Sequence, residues 1–392
     1  MAKALVVVSD ARFSLLRNTC AELAEGLTAL GVQAELACFP DPADGRAAFE
    51  AGYGQVLARI QAMMDAGDDF FLVDLNCKLS YAALERPRPL RRFSYVTDAP
   101  WSQFEHIHAV GDDTTISYVD RNHAEFHNRF ASGRPTVFLP HGGPPPDESW
   151  HDERPIDVLF IGNLAPPCRM EQFEAALAPL PDSVARAARL ALDLVLWEGG
   201  EPCKALIQAL SAGGLTPETL GMKPFLDLLR FLAAFAESHN RHRLLTGLGR
   251  VRVTVAGRVS PGFFETVPDN LHLLGMVDEQ AALALMRRSR ILLNSVTVFP
   301  AGSHERVWYG MACGAAICTD RSSFIEETLT YGTHLLDLAD AMASDGESLA
   351  DALAGPPGVL AMARTARPIY AAHHTWRHRA GIIHRAMKPP GP

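Results

Sequence analysis

The chain lacks an uncharged apolar run as long as a membrane-spanning helix, which needs roughly 20 residues. Its Leu- and Phe-rich segment from Phe225 to Phe235 contains Asp227 and Arg230, which is typical of a core helix. The apolar run before Asp10 is too short for a signal-peptide core and indicates a strand. We therefore expect no transmembrane segment and a cytoplasmic protein.

The chain also lacks an excess of basic residues, because it contains 36 Lys and Arg residues and 45 Asp and Glu residues. Nucleic-acid-binding domains are usually basic, so we expect no nucleic-acid partner. The seven cysteines are odd in number, scattered, and free of Cys-x-x-Cys spacing. This usage indicates free thiols in a reducing compartment rather than a disulfide framework.

Three nucleotide or hydrolase signatures are missing. No Gly-x-Gly-x-x-Gly follows a strand, and Gly52-Tyr-Gly54 lies in a helical pattern without the third glycine. No Gly-x-x-x-x-Gly-Lys-Ser/Thr is present, which argues against a P-loop NTPase. No Gly-x-Ser-x-Gly nucleophile elbow is present either.

The length of 392 residues predicts two domains. Apolar segments that predict parallel strands recur at 4–8, 32–39, 69–75, 92–97, 136–139, 156–161, 251–256, 271–274 and 291–294. Helical patterns separate them, which predicts right-handed βαβ units in doubly wound α/β sheets. We expect a Rossmann-like domain at 1–150, a second at 151–365 with a helical segment at 170–248, and a C-terminal helix within 366–392.

The stretch 294–320 predicts a strand end, a Gly-containing loop, a short helix, a Gly turn and a second strand. Ser303 is a good N-cap residue, so we expect the helix to begin near His304. Arg306 then falls in the first turn, where a cation opposes the helix dipole by roughly 0.3–1 kcal/mol. An anion such as a diphosphate over the helix N-terminus would offset that cost. The alternative is that Arg306 simply pairs with Glu305 or another acid.

The same stretch resembles the nucleotide-sugar-dependent glycosyltransferases of the GT-B fold. Residues 306–314 read Arg-Val-Trp-Tyr-Gly-Met-Ala-Cys-Gly, and Thr319-Asp320 ends the following strand. This pattern is most similar to the bacterial spore-maturation glycosyltransferase-like family. Members of that family carry an acidic residue, which typically holds the donor ribose, where this chain has Tyr309.

The resemblance implies a nucleotide-diphosphate-sugar donor on the second domain and an acceptor on the first, with the two domains facing a cleft. Gly302, Ser303, His304, Glu305 and Arg306 would lie around the diphosphate, and Tyr309 would stack on the nucleoside or hydrogen-bond to it. Neither a metal nor another cofactor is expected.

Two further candidates for the donor site follow the strand at 156–161. Ligands of open α/β sheets bind beyond the carboxyl ends of the strands. Gly162, followed by Asn163, would let the backbone approach a phosphate or the reacting sugar. The alternative is an ordinary glycine between a strand and a loop.

The catalytic candidates are Asp98 and His141. Asp98 follows a strand in Tyr95-Val-Thr-Asp98-Ala-Pro100, and Pro100 biases Ala99 toward an extended backbone. An inverting transfer needs a base to take the acceptor proton, and Asp98 fits that need unless it is only a turn former. His141, within Pro-His-Gly-Gly, lies at the predicted domain junction, where a hinge turn is the alternative. Similar proteins carry comparable Asp-Ala-Pro and Pro-His-Gly segments.

Histidine pairs give weaker signals. His123 and His127 are four residues apart on a predicted helix, but a solvated helix face is a better explanation than a metal site. The segment His374-Thr-Trp-x-His-Arg379 resembles the end of the same family, and we expect its role to be mainly structural docking. The resemblance also implies that the C-terminal helix crosses back onto the first domain.

The sequence therefore predicts a metal-independent GT-B-like glycosyltransferase acting on an unknown acceptor, which could be a protein, a polysaccharide or a small molecule. Two alternatives stay open. One is a catalytically inactive nucleotide-sugar-binding or scaffold protein of the same fold, which Tyr309 favours. The other is a Rossmann-type dehydrogenase or epimerase, against which the missing glycine fingerprint counts.

Overall fold

A computed structural model describes residues 2–10, 15–80, 84, 90–131, 134–148, 153–355 and 358–388. The chain divides into two compact units. The first unit is Met1–Pro145 with Ala371–Pro392, and the second unit is Pro146–Tyr370. The second unit thus begins and ends close to the predicted boundaries at 151 and 365.

The first unit is built on six strands. These are β1 (Lys3–Asp10), β2 (Gln33–Pro40), β3 (Phe70–Leu75), β4 (Arg92–Val96), β5 (Thr114–Tyr118) and β6 (Thr136–Phe138). Its helices are α1 (Leu16–Ala29), α2 (Arg46–Asp65), α3 (Phe104–Ala109), α4 (Asn122–Phe130) and, from the C-terminal segment, α15 (Trp376–Ala386). Short 3-10 helices lie at Pro42–Asp44 and Pro100–Gln103.

All neighbouring strands of this sheet are parallel, in the order β2-β1-β3-β4-β5-β6. β3 and β4 are buried along their whole length, as expected for a sheet covered on both faces. The strand β5 was not predicted, because its Thr- and Ser-rich sequence carries little apolar signal. Helix α15 packs on α1, where a Cβ on Gly26 would lie 2.7 Å from the Cβ of Ala380.

The second unit has a second six-stranded sheet. Its strands are β7 (Ile156–Ile161), β8 (Val253–Ala256), β9 (Leu271–Gly275), β10 (Ser289–Asn294), β11 (Ala316–Thr319) and β12 (Leu336–Asp337). Its helices are α5 (Met170–Leu177), α6 (Asp182–Glu198), α7 (Pro202–Ala212), α8 (Pro217–Leu220), α9 (Met222–Thr246), α10 (Glu279–Arg287), α11 (Glu305–Ala312), α12 (Leu338–Ala343), α13 (Glu347–Ala354) and α14 (Gly358–His373). A 3-10 helix lies at Ile325–Glu327.

This sheet is also parallel, in the order β12-β11-β10-β7-β8-β9. Helices α5 to α9 form the helical segment predicted at 170–248. Buried residues of β7, β8, β10 and β11 share one core with the end of α9, including Phe160, Leu244 and Leu293. The two α/β units with parallel sheets confirm the predicted fold class.

The C-terminal segment is two helices rather than the single one predicted, because α14 ends at His373 and α15 begins at Trp376. Between them, Gly143 and Thr375 form a parallel bridge. Arg379 donates to the carbonyl oxygens of Pro140 and His141, in both cases at 2.9 Å. These contacts agree with the docking role expected of the segment, which stays a prediction.

Candidate functional site

Glycine turns at the carboxyl ends of β7 and β8 pack directly on one another. Gly162 donates its N–H to the carbonyl of Ala256 at 2.9 Å, and Gly257 donates to the carbonyl of Gly275 at 2.8 Å. A Cβ on Gly257, whose φ is +133°, would lie 2.1 Å from the carbonyl oxygen of Gly162. Only glycine fits there, because both the dihedral angle and the close approach exclude a side chain.

Helix α11 starts one residue later than expected. Its N-cap is His304, whose Nδ1 accepts the N–H of Arg306 at 3.4 Å. The prediction of Ser303 as N-cap is wrong, because Ser303 is fully buried and its Oγ accepts the indole N–H of Trp308 at 2.8 Å. The carbonyl of Gly302 is held in turn by the hydroxyl of Ser322.

Arg306 lies in the first turn of α11, as predicted, and its side chain is buried. Its Nη1 donates to Asn294 Oδ1 at 3.3 Å, and its Nη2 lies 3.4 Å from His304 Nε2. The guanidinium also lies 5.8 Å from the ring centroid of Phe160. A Cβ on Gly162 would be 3.7 Å from Arg306 Nη2, so the glycine turn and this arginine are neighbours.

The described residues provide no carboxylate within 4.0 Å of the Arg306 guanidinium. Glu305 does not form the alternative ion pair, because its carboxylate lies 2.9 Å from His304 Nδ1 instead. Burial and the nearby Arg241 lower the pKa of Arg306 to about 10, against the raising effect of Glu305 and Glu237. A buried cation without a paired acid is costly and is common at ligand sites.

Arg241, from helix α9, is a second cation beside Arg306 and was missed by the sequence analysis. Its Nη1 donates to the carbonyl of Asn163 at 3.0 Å, and its Nη2 pairs with Glu237. Its Nε is buried without a hydrogen-bond partner among the described residues. The signal available in the sequence was the i, i+4 Glu237–Arg241 pair in the polar run 237–243 of this helix.

The loop between β10 and α11 is tied to its surroundings at several points. Asn294 Nδ2 donates to Thr319 Oγ1 at 2.9 Å, and Asn240 of α9 donates to Thr297 at 3.0 Å. Asp320 accepts the N–H of Val296. Loss of water around Asp320 raises the pKa of its carboxyl to about 6. The loop is therefore fixed from β11 on one side and from α9 on the other.

The remaining donor candidates differ in exposure. Asn163 is exposed, and its Oδ1 accepts the N–H of Arg258 at 3.2 Å. Tyr309 is only 1 % exposed, so a nucleoside could reach it only after the side chains that cover it move. Its contact with a donor stays a prediction. The structure thus brings together Gly162, Asn163, His304 and Arg306, with Tyr309 behind them in α11.

Asp98 and His141 both adjoin β4 of the first unit. Asp98 is exposed, and its Oδ2 accepts from Asn76 Nδ2 and from Gln103 Nε2, each at 3.2 Å. His141 is buried, with Nδ1 2.9 Å from the hydroxyl of Tyr95. Its carbonyl is held by Arg379, which is the behaviour expected of a structural turn. Asp98 is therefore the better placed of the two to meet a substrate.

The histidines of α4 are buried rather than solvated, which corrects the sequence interpretation. His123 and His127 are both 0 % exposed, and His127 Nδ1 lies 2.8 Å from the hydroxyl of Tyr118. Within the described ranges, no group of three or more His, Cys, Asp or Glu side chains is arranged to hold a metal ion. No helix in the same ranges is long and apolar enough to cross a membrane.

Comparison with known proteins places the chain among glycosyltransferase folds. A family model described as glycosyl transferase-like matches residues 231–385. None of the curated proteins matches the chain. The spore-maturation resemblance stays an expectation.

Several solved structures have the same fold over nearly their whole length. Sucrose-phosphate synthase from Thermosynechococcus elongatus aligns with a TM-score of 0.56 and 11% identity, covering 99% of both chains. HepE from Anabaena, solved with UDP and glucose, gives 0.53 and 9%, covering 98% of this chain and 99% of its own. A glycosyltransferase involved in avilamycin A biosynthesis gives 0.50 and 14%, covering 98% of this chain and 95% of its own. At these identities the likeness shows the GT-B fold alone.

Proposed function

We propose that the protein is a glycosyltransferase that moves a sugar from a nucleotide-diphosphate-sugar to an acceptor hydroxyl. The observation that carries the proposal is the buried Arg306 guanidinium, which has no carboxylate partner among the described residues and lies near a second arginine. Two adjacent cations beside a glycine turn suit a ligand with two negative charges close together, such as a diphosphate.

One of the solved structures with the same fold supports a nucleotide-sugar donor. HepE, which shares the fold, was crystallised with UDP and glucose. In this chain, Arg306 and Arg241 supply positive charge beside the turn at Gly162 and Asn163. UDP is therefore the first nucleotide to test, followed by the other nucleoside diphosphates.

The chemistry asks for charge stabilisation and one proton acceptor. In an inverting transfer, the acceptor oxygen attacks the anomeric carbon of the donor. The bond from that carbon to the diphosphate oxygen breaks, and its electron pair leaves with the nucleoside diphosphate. Arg306 and Arg241 offset the charge that develops on the leaving group. The proton of the acceptor hydroxyl passes to Asp98, so no metal ion is required.

The first test is calorimetric binding of nucleoside diphosphates to wild type, Arg306→Met and Arg241→Met. Hydrogen bonds to charged groups are worth about 1.5–3 kcal/mol, so each variant should bind the diphosphate roughly 10- to 100-fold more weakly. Thermal stability should change little for Arg306→Met, because relief of the buried charge offsets the loss of the long hydrogen bond to Asn294.

The matched control is Arg189→Met, which removes an exposed arginine of the second unit that pairs with Glu174. It should bind nucleoside diphosphates as wild type does. Equal affinity in wild type and Arg306→Met would remove the main support for the proposal. Tight binding of a nucleotide-sugar without turnover for any acceptor would instead favour the inactive scaffold protein, consistent with Tyr309 in the acidic position.

A further inference from the structure

A cavity of about 480 Å³ opens in the first unit at the carboxyl ends of β1, β2 and β3. Its size is typical of a pocket for a small molecule. Its lining includes Ser9, Phe39, Phe49, Tyr53 and Asn76. Ligands of open α/β sheets bind at this end of the strands, so the position is that of a binding site.

One side of the cavity is a cluster of three aromatic rings. Phe39 meets Tyr53 edge to face, with centroids 5.3 Å apart. Phe49 stacks on Tyr53 at 5.5 Å and meets Phe39 at 5.7 Å. Val7, Val8, Leu75 and Leu79 supply further apolar surface. Such a surface favours a ligand with a flat or ring-shaped apolar body.

Most of the described polar groups that line the cavity already form hydrogen bonds within the protein. The Tyr53 hydroxyl donates to the carbonyl of Ser80 at 2.6 Å and accepts the N–H of Ser80 at 2.7 Å. Both oxygens of Asp74 accept from Arg92, and one of them also accepts the N–H of Leu79. Among the residues that the structure describes, these walls therefore offer a ligand few free hydrogen-bonding partners.

Asp41 and Asn76 are committed in the same way. Asp41 Oδ1 caps the N–H of Ala43 at 2.8 Å, and Oδ2 lies 3.4 Å from the hydroxyl of Ser9. Asn76 Nδ2 donates to Thr97 Oγ1 and Asp98 Oδ2, and Asn76 Oδ1 accepts the backbone N–H of Thr97. Buried sugar hydroxyls each need a partner, so an oligosaccharide would be poorly satisfied here.

The cavity adjoins the candidate base. Asn76 lines the cavity, and its Nδ2 lies 3.2 Å from Asp98 Oδ2. Asn76 and the next residue, Cys77, hold left-handed backbone angles with φ of 54° and 57°. Such angles are unfavourable in non-glycine residues and cluster at functional sites. Here they turn the chain so that Asn76 reaches from the cavity to Asp98.

We propose that this cavity takes the acceptor, and that the acceptor is a hydroxyl-bearing small molecule with an apolar ring body rather than an oligosaccharide. The proposal rests on the transferase function proposed above, because it names the acceptor of that reaction. The ring packs against Phe39, Phe49 and Tyr53, and the hydroxyl is presented at the Asn76 end, beside Asp98. The remaining polar lining groups, Lys78 and His106, are exposed.

The test is equilibrium dialysis of the full chain with 4-methylumbelliferone and 2-naphthol as ring probes, and with maltose and cellobiose as sugar probes. We expect saturable binding of at least one ring probe and none of the sugars. Phe49→Ala, which removes one ring, and Ser9→Leu, which fills the cavity from β1, should each weaken ring binding about tenfold or more. Thermal melts confirm that each variant folds.

The matched control is Trp197→Ala, which removes an aromatic side chain that is 63 % exposed on the second unit. It should leave ring binding unchanged. Absence of ring binding to wild type, equal binding by Phe49→Ala and Ser9→Leu, or preference for maltose or cellobiose would each overturn the proposal. Nucleoside diphosphate binding is measured in parallel. Ring binding without nucleotide binding would overturn the transferase function, whereas nucleotide binding without ring binding would overturn only the acceptor class.

Discussion

Both sheets are six-stranded and parallel, although their strand orders differ, and the charges at their carboxyl edges are arranged differently. In the first unit, the buried Asp74 is matched by the buried Arg92, and the neighbouring cavity is mainly apolar. In the second unit, Glu237 pairs with Arg241, and Arg306 is left without a carboxylate partner among the described residues. At the first edge a buried carboxylate is paired with a buried guanidinium, whereas at the second edge a buried guanidinium is left for a ligand.

The difference shows how one architecture can serve two kinds of ligand. A parallel sheet with a neutral apolar edge can hold an uncharged molecule through packing. The same sheet with an unmatched guanidinium can hold an anion, since the ligand then offsets the cost of burying the charge. The first prediction below changes a residue at the edge of the first unit, and the second changes one at the edge of the second unit. The third concerns the protonation of a carboxylate at the second edge.

The largest effect is expected for Asp98→Asn in the first unit. This change keeps the shape of the side chain and removes the proton acceptor, which typically costs on the order of 10²–10⁴-fold in rate. Donor affinity should stay as in wild type, because the proposed donor residues lie in the second unit. Single-turnover transfer with saturating donor measures the rate, and calorimetry measures the affinity.

The control for this prediction is Asp112→Asn, because the Asp112 side chain is fully exposed in the same unit. It should transfer at the wild-type rate. Wild-type transfer by Asp98→Asn would remove it as the base and turn attention to His141. A combined loss of transfer and of donor binding would show that the loop after β4 has a structural role.

The next effect is expected for Gly257→Ala in the second unit. A left-handed dihedral costs roughly 1–2 kcal/mol in other residues, and overpacking adds typically 1–3 kcal/mol. The new Cβ would overlap the carbonyl of Gly162, so the turn beside Arg306 must shift. We expect a lower melting temperature and weaker binding of nucleoside diphosphates, measured by thermal melts and calorimetry.

Gly262→Ala is the matched control, because Gly262 has a φ of +80° and nothing within 4 Å of the Cβ position. It carries the dihedral cost without the overlap. If both variants lose the same stability and bind the nucleotide equally well, the close approach of the two glycine turns is not needed for the donor site.

The smallest effect is expected for the pH dependence due to Asp320. Its pKa is raised from 3.8 to about 6 in the folded protein, so the folded state holds this proton more tightly than the unfolded chain. The stabilising contribution is therefore complete below pH 3.8 and is lost as the pH rises through 6. Asp320→Asn should raise the melting temperature by about 2–6 °C at pH 8 and not at pH 4.

Asp193→Asn serves as the control, because Asp193 is an exposed residue of α6. Its melting temperature should follow that of wild type at both pH values. A shift of the same size for Asp320→Asn at pH 4 and pH 8 would mean that Asp320 acts through its hydrogen bond to Val296 and not through its charge.

The sequence predicted those parts of the fold that depend on local patterns. Strand β7 matched its prediction at both ends, because a mostly apolar run, broken only by Asp157, lies between Pro155 and Gly162. Arg306 was correctly placed in the first turn of α11. Strand β5 was missed, because two of its buried positions hold the polar residues Thr114 and Ser117, which interrupt the apolar pattern expected of a buried strand.

Tertiary contacts account for the rest. Ser303 has the composition of an N-cap, but Trp308 takes its hydroxyl, and His304 caps the helix instead. Arg241 is far from Arg306 in the chain, so only the packing of α9 beside the sheet reveals the pair. The sequence of α4 predicted that His123 and His127 face solvent, but both rings pack against Tyr118.

The first unit is assembled from two separate pieces of chain, Met1–Pro145 and Ala371–Pro392. During synthesis, the residues of α1 are therefore made long before those of α15, the helix that packs on it. The second unit, by contrast, is one uninterrupted stretch from Pro146 to Tyr370. Domains usually fold as they emerge, the N-terminal one first. In this chain the first unit can be completed only after the whole of the second unit has been made, because α15 follows Tyr370.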